Sequence, residues 1–184
     1  AALLSAQGED VLVIEKEAQP GGKMRRLMIG DAGIDGGPTV FTMRGIFDAI
    51  FDQLGTSLER ELKLTPLSIL ARHAWSDTEN LDLHADLAAS AAAIGDFAGA
   101  DEAKNFLAFS AEAKAIYTTL KKPFIESQRP NPISMALGNG ITGLPAMMRI
   151  NPFETMWRGI TRHFKDPRLQ QLFGRNATYC GSSP

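Results

Sequence analysis

The sequence has few of the residues that crosslink chains or bind metals. Its 184 residues include one cysteine, Cys180, and three histidines, His73, His84 and His163. One cysteine excludes an intramolecular disulfide framework and a cysteine-rich zinc site, and the histidines lack metal-ligand spacing. We therefore predict no metal site. Cys180 is interpreted as a small buried hydrophobe, and His73 and His84 as residues of a solvated strand edge.

Charge excess and long apolar runs are also absent. The 19 Lys and Arg residues nearly balance 21 Asp and Glu residues, for a net charge of −2, which gives no support to a nucleic-acid partner. No run of about 18 apolar residues is present, so no transmembrane helix is expected. Hydrophobic residues make up 44% of the chain, enough for a folded core. The ends carry neither a signal peptide nor a closing element, and we expect an internal piece of a longer protein.

Residues 1–22 predict a helix, a buried strand and a loop, in that order. The helix spans Ala1–Gln7, and Gly8 suits the left-handed position that ends a helix. Val11–Ile14 is typical of a strand buried on both faces of a parallel sheet, and Gln19–Gly22 predicts a loop. This order is half of a βαβ unit. We predict an α/β fold, with a Rossmann-like domain over residues 1–56 that lacks its first strand and glycine turn.

Glu15 is the strongest candidate for binding a nucleotide. An acidic residue at the end of the second Rossmann strand accepts hydrogen bonds from ribose hydroxyls, about 20 residues after the glycine-rich turn. That turn would precede Ala1, so it is inferred, and a solvated loop acid is an equally weighted alternative. Gly21 and Gly22 would let the backbone approach a phosphate, with Lys23 supplying positive charge. The alternative for these three residues is a surface turn before a strand with a basic start.

The remaining residues, 57–184, are predicted to form a partly helical substrate domain with a mixed sheet. Within the first domain, Gly30–Pro38 predicts a loop, and Thr42 the N-cap of a helix that ends at Gly55. Further along the chain, local patterns predict the following elements: strands at Leu62–Pro66, Ala71–Trp75 and Leu81–Leu83, the last two paired in a hairpin; helices at Ala85–Ile94, from Asp101 to before Pro123, at Phe153–Phe164 and from the N-cap Asp166 to Gly174; and a loop at Arg129–Pro145.

Three blocks of the sequence resemble known flavoenzymes. VLVIEKEAQPGGKMRRL resembles the segment that follows the dinucleotide fingerprint in FAD-dependent amine oxidases and carotenoid desaturases. GIDGGPTVFTMRGIFDAIFDQLG and DPRLQQLFGRNATYCGSSP are similar to the bacterial phytoene desaturase branch. Within that branch, the blocks look most like the enzymes that desaturate 1-hydroxy- or 1-methoxycarotenoids at the 3,4 position.

The resemblance implies FAD as the cofactor and an acyclic carotenoid as the substrate. It implies no particular catalytic residue. The cofactor-binding residues that it implies are Glu15, Lys16, Gly21, Gly22, Lys23 and Met24, together with Pro38, Thr39 and Val40, which would pass the isoalloxazine ring. The alternatives are a phytoene desaturase or amine oxidase of the same fold, a non-catalytic nucleotide-binding piece, and a helical interaction module.

An apolar substrate implies an apolar tunnel and a membrane surface. We expect a cytoplasmic enzyme that attaches peripherally to the membrane, and Met135–Pro152, which is apolar and broken by glycines, suits a membrane-contacting or entrance segment. Candidates for the tunnel lining are Phe41, Met43, Met135, Met147, Met148, Met156 and Trp157. Core packing explains the same residues equally well and is the more frequent role of such residues.

Overall fold

The computed structural model describes residues 1–37, 41–127, 151 and 154–180, with Tyr179 and Cys180 described by their backbone alone. The chain divides into two compact units, Ala1–Pro66 and Leu67–Pro184. The domain boundary after residue 56 stays a prediction. The predicted Arg129–Pro145 loop, the segment Met135–Pro152 apart from Asn151, and Pro38, Thr39 and Val40 lie outside the described residues.

The described residues of the first unit form a β-hairpin and three helices: α1 (Ala2–Ala6), β1 (Arg26–Ile29), β2 (Ala32–Asp35), α2 (Arg44–Gln53) and α3 (Leu58–Glu61). Strands β1 and β2 are antiparallel, with Ile29 opposite Ala32, so Gly30 and Asp31 form a two-residue turn. Gly30 has a φ of +59°, the sign that the first residue of a type II′ hairpin turn requires. The prediction of a loop throughout Gly30–Pro38 is therefore wrong for β2.

The predicted strand at Val11–Ile14 is wrong, because these residues belong to no strand of the structure. Leu12, Val13 and Ile14 are 83%, 65% and 86% exposed. A strand exists only when a neighbour satisfies its backbone N–H and C=O groups. Among the described residues the sheets are two antiparallel hairpins, and neither pairs with this run. The parallel sheet of the predicted α/β fold is accordingly not formed there.

Two further predictions in this unit need correction. The N-cap of α2 is Met43 and not Thr42; Met43 has a φ of +54° and makes no side-chain capping bond. The run Leu62–Pro66 is unpaired and forms no strand. The end of α2 is as predicted, since Gly55 follows it with a φ of +74°.

The second unit contains a hairpin, four helices and two short helical turns among the described residues. These elements are β3 (Ile69–Ala74), β4 (Asn80–His84), α4 (Leu87–Ala98), α5 (Ala100–Leu120), a π-helical turn (Lys121–Ile125), α6 (Met156–His163), α7 (Pro167–Gly174) and a 3₁₀ turn (Arg175–Cys180). The predicted hairpin is confirmed, and the predicted helices are confirmed with ends shifted by a few residues. The π-helical turn contains Pro123, which has no N–H to donate to the helix.

Two helices of this unit begin at an aspartate whose side chain accepts a hydrogen bond from a backbone N–H of the first turn. Asp86 Oδ1 accepts the Ala89 N–H at 2.7 Å, and Asp166 Oδ1 accepts the Arg168 N–H at 2.8 Å, with Pro167 in the first turn. Asp166 was predicted as an N-cap, and this is confirmed. Asp101 was predicted to cap α5 but lies within its first turn, because Gly99, with a φ of +102°, precedes the helix.

The core of the second unit joins the hairpin to four helices. Its buried members are Leu81, Ala91, Ile94, Phe106, Ile160, Phe164, Leu169, Leu172 and Phe173. Phe164 and Phe173 stack with ring centroids 4.8 Å apart, and Phe109 meets Phe164 edge-on at 5.2 Å. Burial of each large side chain contributes about 1.5–3 kcal/mol. This core fixes α5 and α6 side by side. No helix in the described part of the chain is long and apolar enough to cross a membrane.

Candidate functional site

The β1–β2 hairpin brings the predicted cofactor segment that precedes β1 next to Gly36 and Gly37, which follow β2. The Gly36 N–H donates to the Arg25 carbonyl at 2.8 Å, and a Cβ atom at Gly37 would collide with the Lys23 carbonyl. These contacts form a shallow concavity of about 450 Å³, lined by Gly22, Lys23, Arg25, Gly36 and Gly37. We call this concavity the glycine cradle. The segment before β1 and the segment after β2 are thus parts of one site.

The glycine cradle suits an anionic ligand. Gly21 and Gly22 have φ values of +128° and +58°, and a side chain at Gly22 would point into open space. The Met24 N–H donates to the Gly21 carbonyl at 2.9 Å, which closes the turn. Lys23 is exposed at the rim and supplies positive charge beside this open backbone. An open glycine turn with cations at its edge fits the diphosphate of a dinucleotide.

Glu15 and Lys16 do not line the glycine cradle. The Glu15 carboxylate accepts the Glu17 N–H at 3.0 Å, and Lys16 Nζ lies 3.7 Å from the Glu17 carboxylate. All three side chains are exposed in a loop. Their predicted role depends on a strand at Val11–Ile14 that would aim Glu15 toward a ribose, so the role stays a prediction.

A second cavity, of about 470 Å³, lies between α5, the π-helical turn and α6. We call it the α5–α6 groove. Its apolar lining consists of Phe109, Ala113, Ile116, Tyr117, Leu120, Phe124, Ile125, Met156 and Ile160. Tyr117 and Phe124 are 45% and 50% exposed, so the groove opens to solvent along an aromatic rim. Such a surface binds an apolar ligand at low cost in desolvation.

The residues that were predicted to line a tunnel belong to different units or lie outside the described residues. Met156 lines the α5–α6 groove, and Trp157 follows it on α6, 41% exposed. Phe41 and Met43 belong to the first unit, where the rings of Phe41 and Phe47 lie 4.8 Å apart. Met135, Met147 and Met148 lie outside the described residues.

Four charged or ionisable side chains meet at the groove: Glu112, Glu154 and His163 belong to its lining, and Arg162 is hydrogen-bonded to both glutamates. We call them the polar cluster. His163 Nε2 lies 2.8 Å from Glu112 Oε2, and Arg162 Nη2 lies 2.8 Å from Glu112 Oε1 and 3.1 Å from Glu154 Oε2. Burial raises the pKa of Glu112, but hydrogen bonds from His163 and Arg162 outweigh it and hold that pKa below its usual range. Glu112 is therefore a charged acceptor at neutral pH.

Sequence reasoning missed the polar cluster, although one signal was present. Glu112 lies three residues after Phe109 and four before Ile116, on the apolar stripe of α5. A carboxylate in such a stripe requires a partner, but its partners are 50 and 51 residues away, beyond the reach of local patterns. Only the packing of α6 on α5 brings them together.

The other two histidines take no part in this arrangement. His73 pairs with Leu81 and His84 with Ile69, so the two are not neighbours in the hairpin. Burial and the charge of Arg175, whose Nη1 is 3.4 Å from His73 Nδ1, lower the pKa of His73. No group of three or more potential metal ligands occurs in the part of the chain that the structure describes.

Comparison with known proteins gives the class of protein first. Residues 1–54 match the family model of an NAD(P)-binding Rossmann-like domain. This match agrees with the predicted dinucleotide-binding class, and it covers the whole of the glycine cradle.

More specific similarity extends along the chain. The hydroxyneurosporene desaturase of Rubrivivax gelatinosus is 54% identical, over all of this chain and 35% of that protein. The hydroxyneurosporene desaturase of Rhodobacter capsulatus is 40% identical, over 98% of this chain and 36% of that protein. The phytoene dehydrogenase of Streptomyces griseus is 30% identical, over 98% of this chain and 35% of that protein. The chain spans about a third of the length of these curated relatives, and its predicted resemblance to carotenoid desaturases is confirmed.

Proposed function

We propose that this chain is part of an FAD-dependent desaturase that introduces the 3,4 double bond into an acyclic 1-hydroxy- or 1-methoxycarotenoid during carotenoid biosynthesis. The observation that carries the proposal is the 54% identity to a hydroxyneurosporene desaturase along the whole chain. The α5–α6 groove supports it, because a carotenoid is a long apolar rod and needs an apolar wall.

The glycine cradle is the proposed site of the FAD diphosphate. Gly21 and Gly22 would present backbone N–H groups to the phosphates, and Lys23 would balance their charge. Glu15 would accept the ribose hydroxyls, with Lys16, Met24, Pro38, Thr39 and Val40 as further contacts. When bound, FAD supplies the two-electron oxidation of the carbon–carbon bond. The chain's own residues bind the cofactor and hold the polyene in one orientation.

The proposed substrate also indicates where the protein acts. Carotenoids dissolve in lipid, so we place the enzyme in the cytoplasm and against a membrane surface, with Met135–Pro152 as the contacting segment. Neither nucleic acid nor a metal has a part in this proposal.

The test uses the full-length protein that contains this chain. Purified protein should show a flavin absorption spectrum, and a 1-hydroxycarotenoid supplied in liposomes should shift its absorption to longer wavelength as the conjugation is extended. A protein that binds no flavin, or that shifts the absorption of no acyclic carotenoid, contradicts the proposal. Oxidation of amines with no effect on carotenoids would instead support an amine oxidase of the same fold.

A further inference from the structure

We propose that the polar cluster binds the terminal oxygen of a polyene whose hydrocarbon chain lies along the α5–α6 groove. The inference rests on the proposed function and assigns the residues that recognise the end of the substrate. Its ligand is an apolar chain with a hydroxyl or ether oxygen at one end.

The polar cluster lies toward one end of the groove, whose lining also includes the polar residues Asn151 and Thr155. Glu112 and His163 are in contact, which places the cluster beside the Phe109 end of the lining. Leu120 lies eight residues after Glu112 on α5, a distance of about 12 Å at the rise of an α-helix. Phe124 then continues the apolar wall in the π-helical turn. A hydrocarbon that ends in one oxygen can place that oxygen at the polar cluster and its chain against the apolar side chains of α5 and the π-helical turn.

The polar cluster offers both an acceptor and a donor. The Glu112 carboxylate has about four acceptor positions, and Arg162 and His163 occupy two of them. A hydroxyl could donate to Glu112 and accept from the Arg162 guanidinium, which is hydrogen-bonded to Glu112 but is not itself one of the lining residues. An ether oxygen could accept from Arg162 but has no proton for Glu112. The cluster should therefore bind a hydroxyl end most tightly and a methoxy end less tightly.

Holding the terminal oxygen would also set the register of the substrate. In a 1-hydroxycarotenoid, the 3,4 bond begins two carbons from the carbon that carries the oxygen. Fixing that oxygen fixes the position of the bond to within the flexibility of one intervening carbon. Glu112 and Arg162 would thus be positioning residues.

The structural alternative is that the polar cluster only fastens α6 to α5. The two roles predict different binding. The probes are neurosporene, 1-methoxyneurosporene and 1-hydroxyneurosporene in detergent micelles, with affinity measured by quenching of tryptophan fluorescence in the full-length protein. A charged hydrogen bond predicts that the hydroxylated polyene binds roughly 10- to 100-fold more tightly than neurosporene. The methoxy compound should fall between them.

Variants of Glu112 separate recognition from stability. Glu112→Leu should bring the affinities for hydroxylated and plain polyene to within about threefold of each other. Glu112→Gln keeps an acceptor and should restore part of the preference. Asp101→Leu, on an exposed turn of the same helix, is the matched control and should keep the full preference.

Several outcomes would overturn the inference. Equal wild-type affinity for the three polyenes would do so without any variant, so it holds even if Glu112→Leu fails to fold. If a folded Glu112→Leu protein lost affinity for neurosporene and 1-hydroxyneurosporene to the same extent, the polar cluster would have only a structural role. If the protein carries flavin and desaturates carotenoids without such a preference, only this inference fails. If it binds no polyene and no flavin, the proposed function fails with it.

Discussion

At the scale of single residues, the least exposed carboxylate in the described residues is a structural one. Glu102 on α5 is 6% exposed and accepts the backbone N–H groups of Lys165 and Asp166 at 2.8 and 3.0 Å. These two N–H groups occupy the short link between α6 and α7. One side chain therefore holds three helices in register.

Replacement of Glu102 should lower the stability of the second unit. Glu102→Ala leaves two N–H groups without their acceptor, which predicts a loss of about 2–4 kcal/mol, at 1–3 kcal/mol for each group. Urea unfolding followed by circular dichroism measures the loss. Glu102→Gln should cost less because its amide oxygen still accepts, and Asp101→Ala should be neutral. A neutral Glu102→Ala would show that water replaces the carboxylate without cost.

Two other carboxylates predict a dependence of stability on pH. Hydrogen bonds from Arg168 lower the pKa of Asp166, and those from His163 and Arg162 lower the pKa of Glu112 despite its burial. A carboxyl whose folded pKa lies below its unfolded pKa stabilises the fold above the unfolded value. That stabilisation is lost as the pH falls through the folded value. The ordinary pKa values are 3.8 and 4.5.

The thermal midpoint should therefore fall below about pH 4.5, in addition to the decline that the lowered pKa of His73 predicts as the pH drops below 6.5. In Glu112→Gln the fall should be shallower, because the group no longer titrates. Differential scanning calorimetry from pH 3 to pH 7 measures both curves. A variant curve parallel to the wild type would mean that Glu112 titrates alike in the folded and unfolded chain.

The proposed ribose contact can be tested at one residue. If Glu15 accepts hydrogen bonds from the ribose, Glu15→Ala should weaken FAD binding to the full-length protein by roughly 10- to 100-fold, the loss expected for hydrogen bonds to a charged group. Equilibrium dialysis with FAD measures it. Glu17→Ala, two residues away in the same exposed loop, is the control and should bind as the wild type does. Unchanged affinity in Glu15→Ala would remove Glu15 from the site.

At the scale of elements, the apolar wall of the α5–α6 groove predicts that a polar side chain placed in it will weaken polyene binding. Ile116→Asn places an amide on the groove wall and should weaken neurosporene and 1-hydroxyneurosporene alike by about tenfold or more. Leu107→Asn changes an exposed leucine of the same helix outside the groove and should leave both affinities unchanged. If the two variants behave alike, the groove is not where the polyene lies.

The elements also show which parts of the fold local sequence can predict. Helix α7 begins at Asp166–Pro167 as predicted, because a capping side chain and a proline act within one turn. The β3–β4 hairpin was predictable for the same reason, since its partners are adjacent in the chain. Val11–Ile14 has the composition of a buried strand, but its partner must come from elsewhere, and sequence alone does not supply one. The polar cluster could not be predicted for the same reason, because the partners of Glu112 are distant in the sequence.

In the candidate sites too, local sequence predicted individual residues, whereas contacts between distant segments needed the structure. The glycines and the lysine at 21–23 predicted a ligand-binding backbone, and its approach to Gly36 and Gly37 through the hairpin needed the structure. The hairpin turn at Gly30 was not predicted, because the surrounding glycines indicated a continuous loop. Met156 was predicted as a lining residue and lies in the groove, whereas Phe41 and Met43 belong to the other unit.

At the scale of the whole molecule, burial is concentrated in the second unit. In the described residues of Ala1–Pro66, Leu58 alone is fully buried, whereas the second unit has a continuous core. The relatives are about three times as long as this chain, so further sequence is available in such proteins to cover the first unit. We expect Val11–Ile14 to gain a strand neighbour in the full-length protein.

Hydrogen exchange can test that expectation. Amides of residues 11–14 should exchange slowly in the full-length protein and at nearly the intrinsic rate in the isolated 184-residue chain. Amides of α7 provide the internal reference, since its buried face should protect them in both samples. Equal exchange at 11–14 in the two proteins would mean that the run stays unpaired.

The uncovered run at Val11–Ile14 also has a colloidal consequence. Three adjacent exposed aliphatic side chains on an unpaired backbone can template the same run on another molecule. A solution of the isolated chain should therefore scatter more light as its concentration rises, and a charged replacement such as Val13→Lys should suppress that scattering. A run whose composition suits the inside of a sheet would thereby limit the solubility of the molecule.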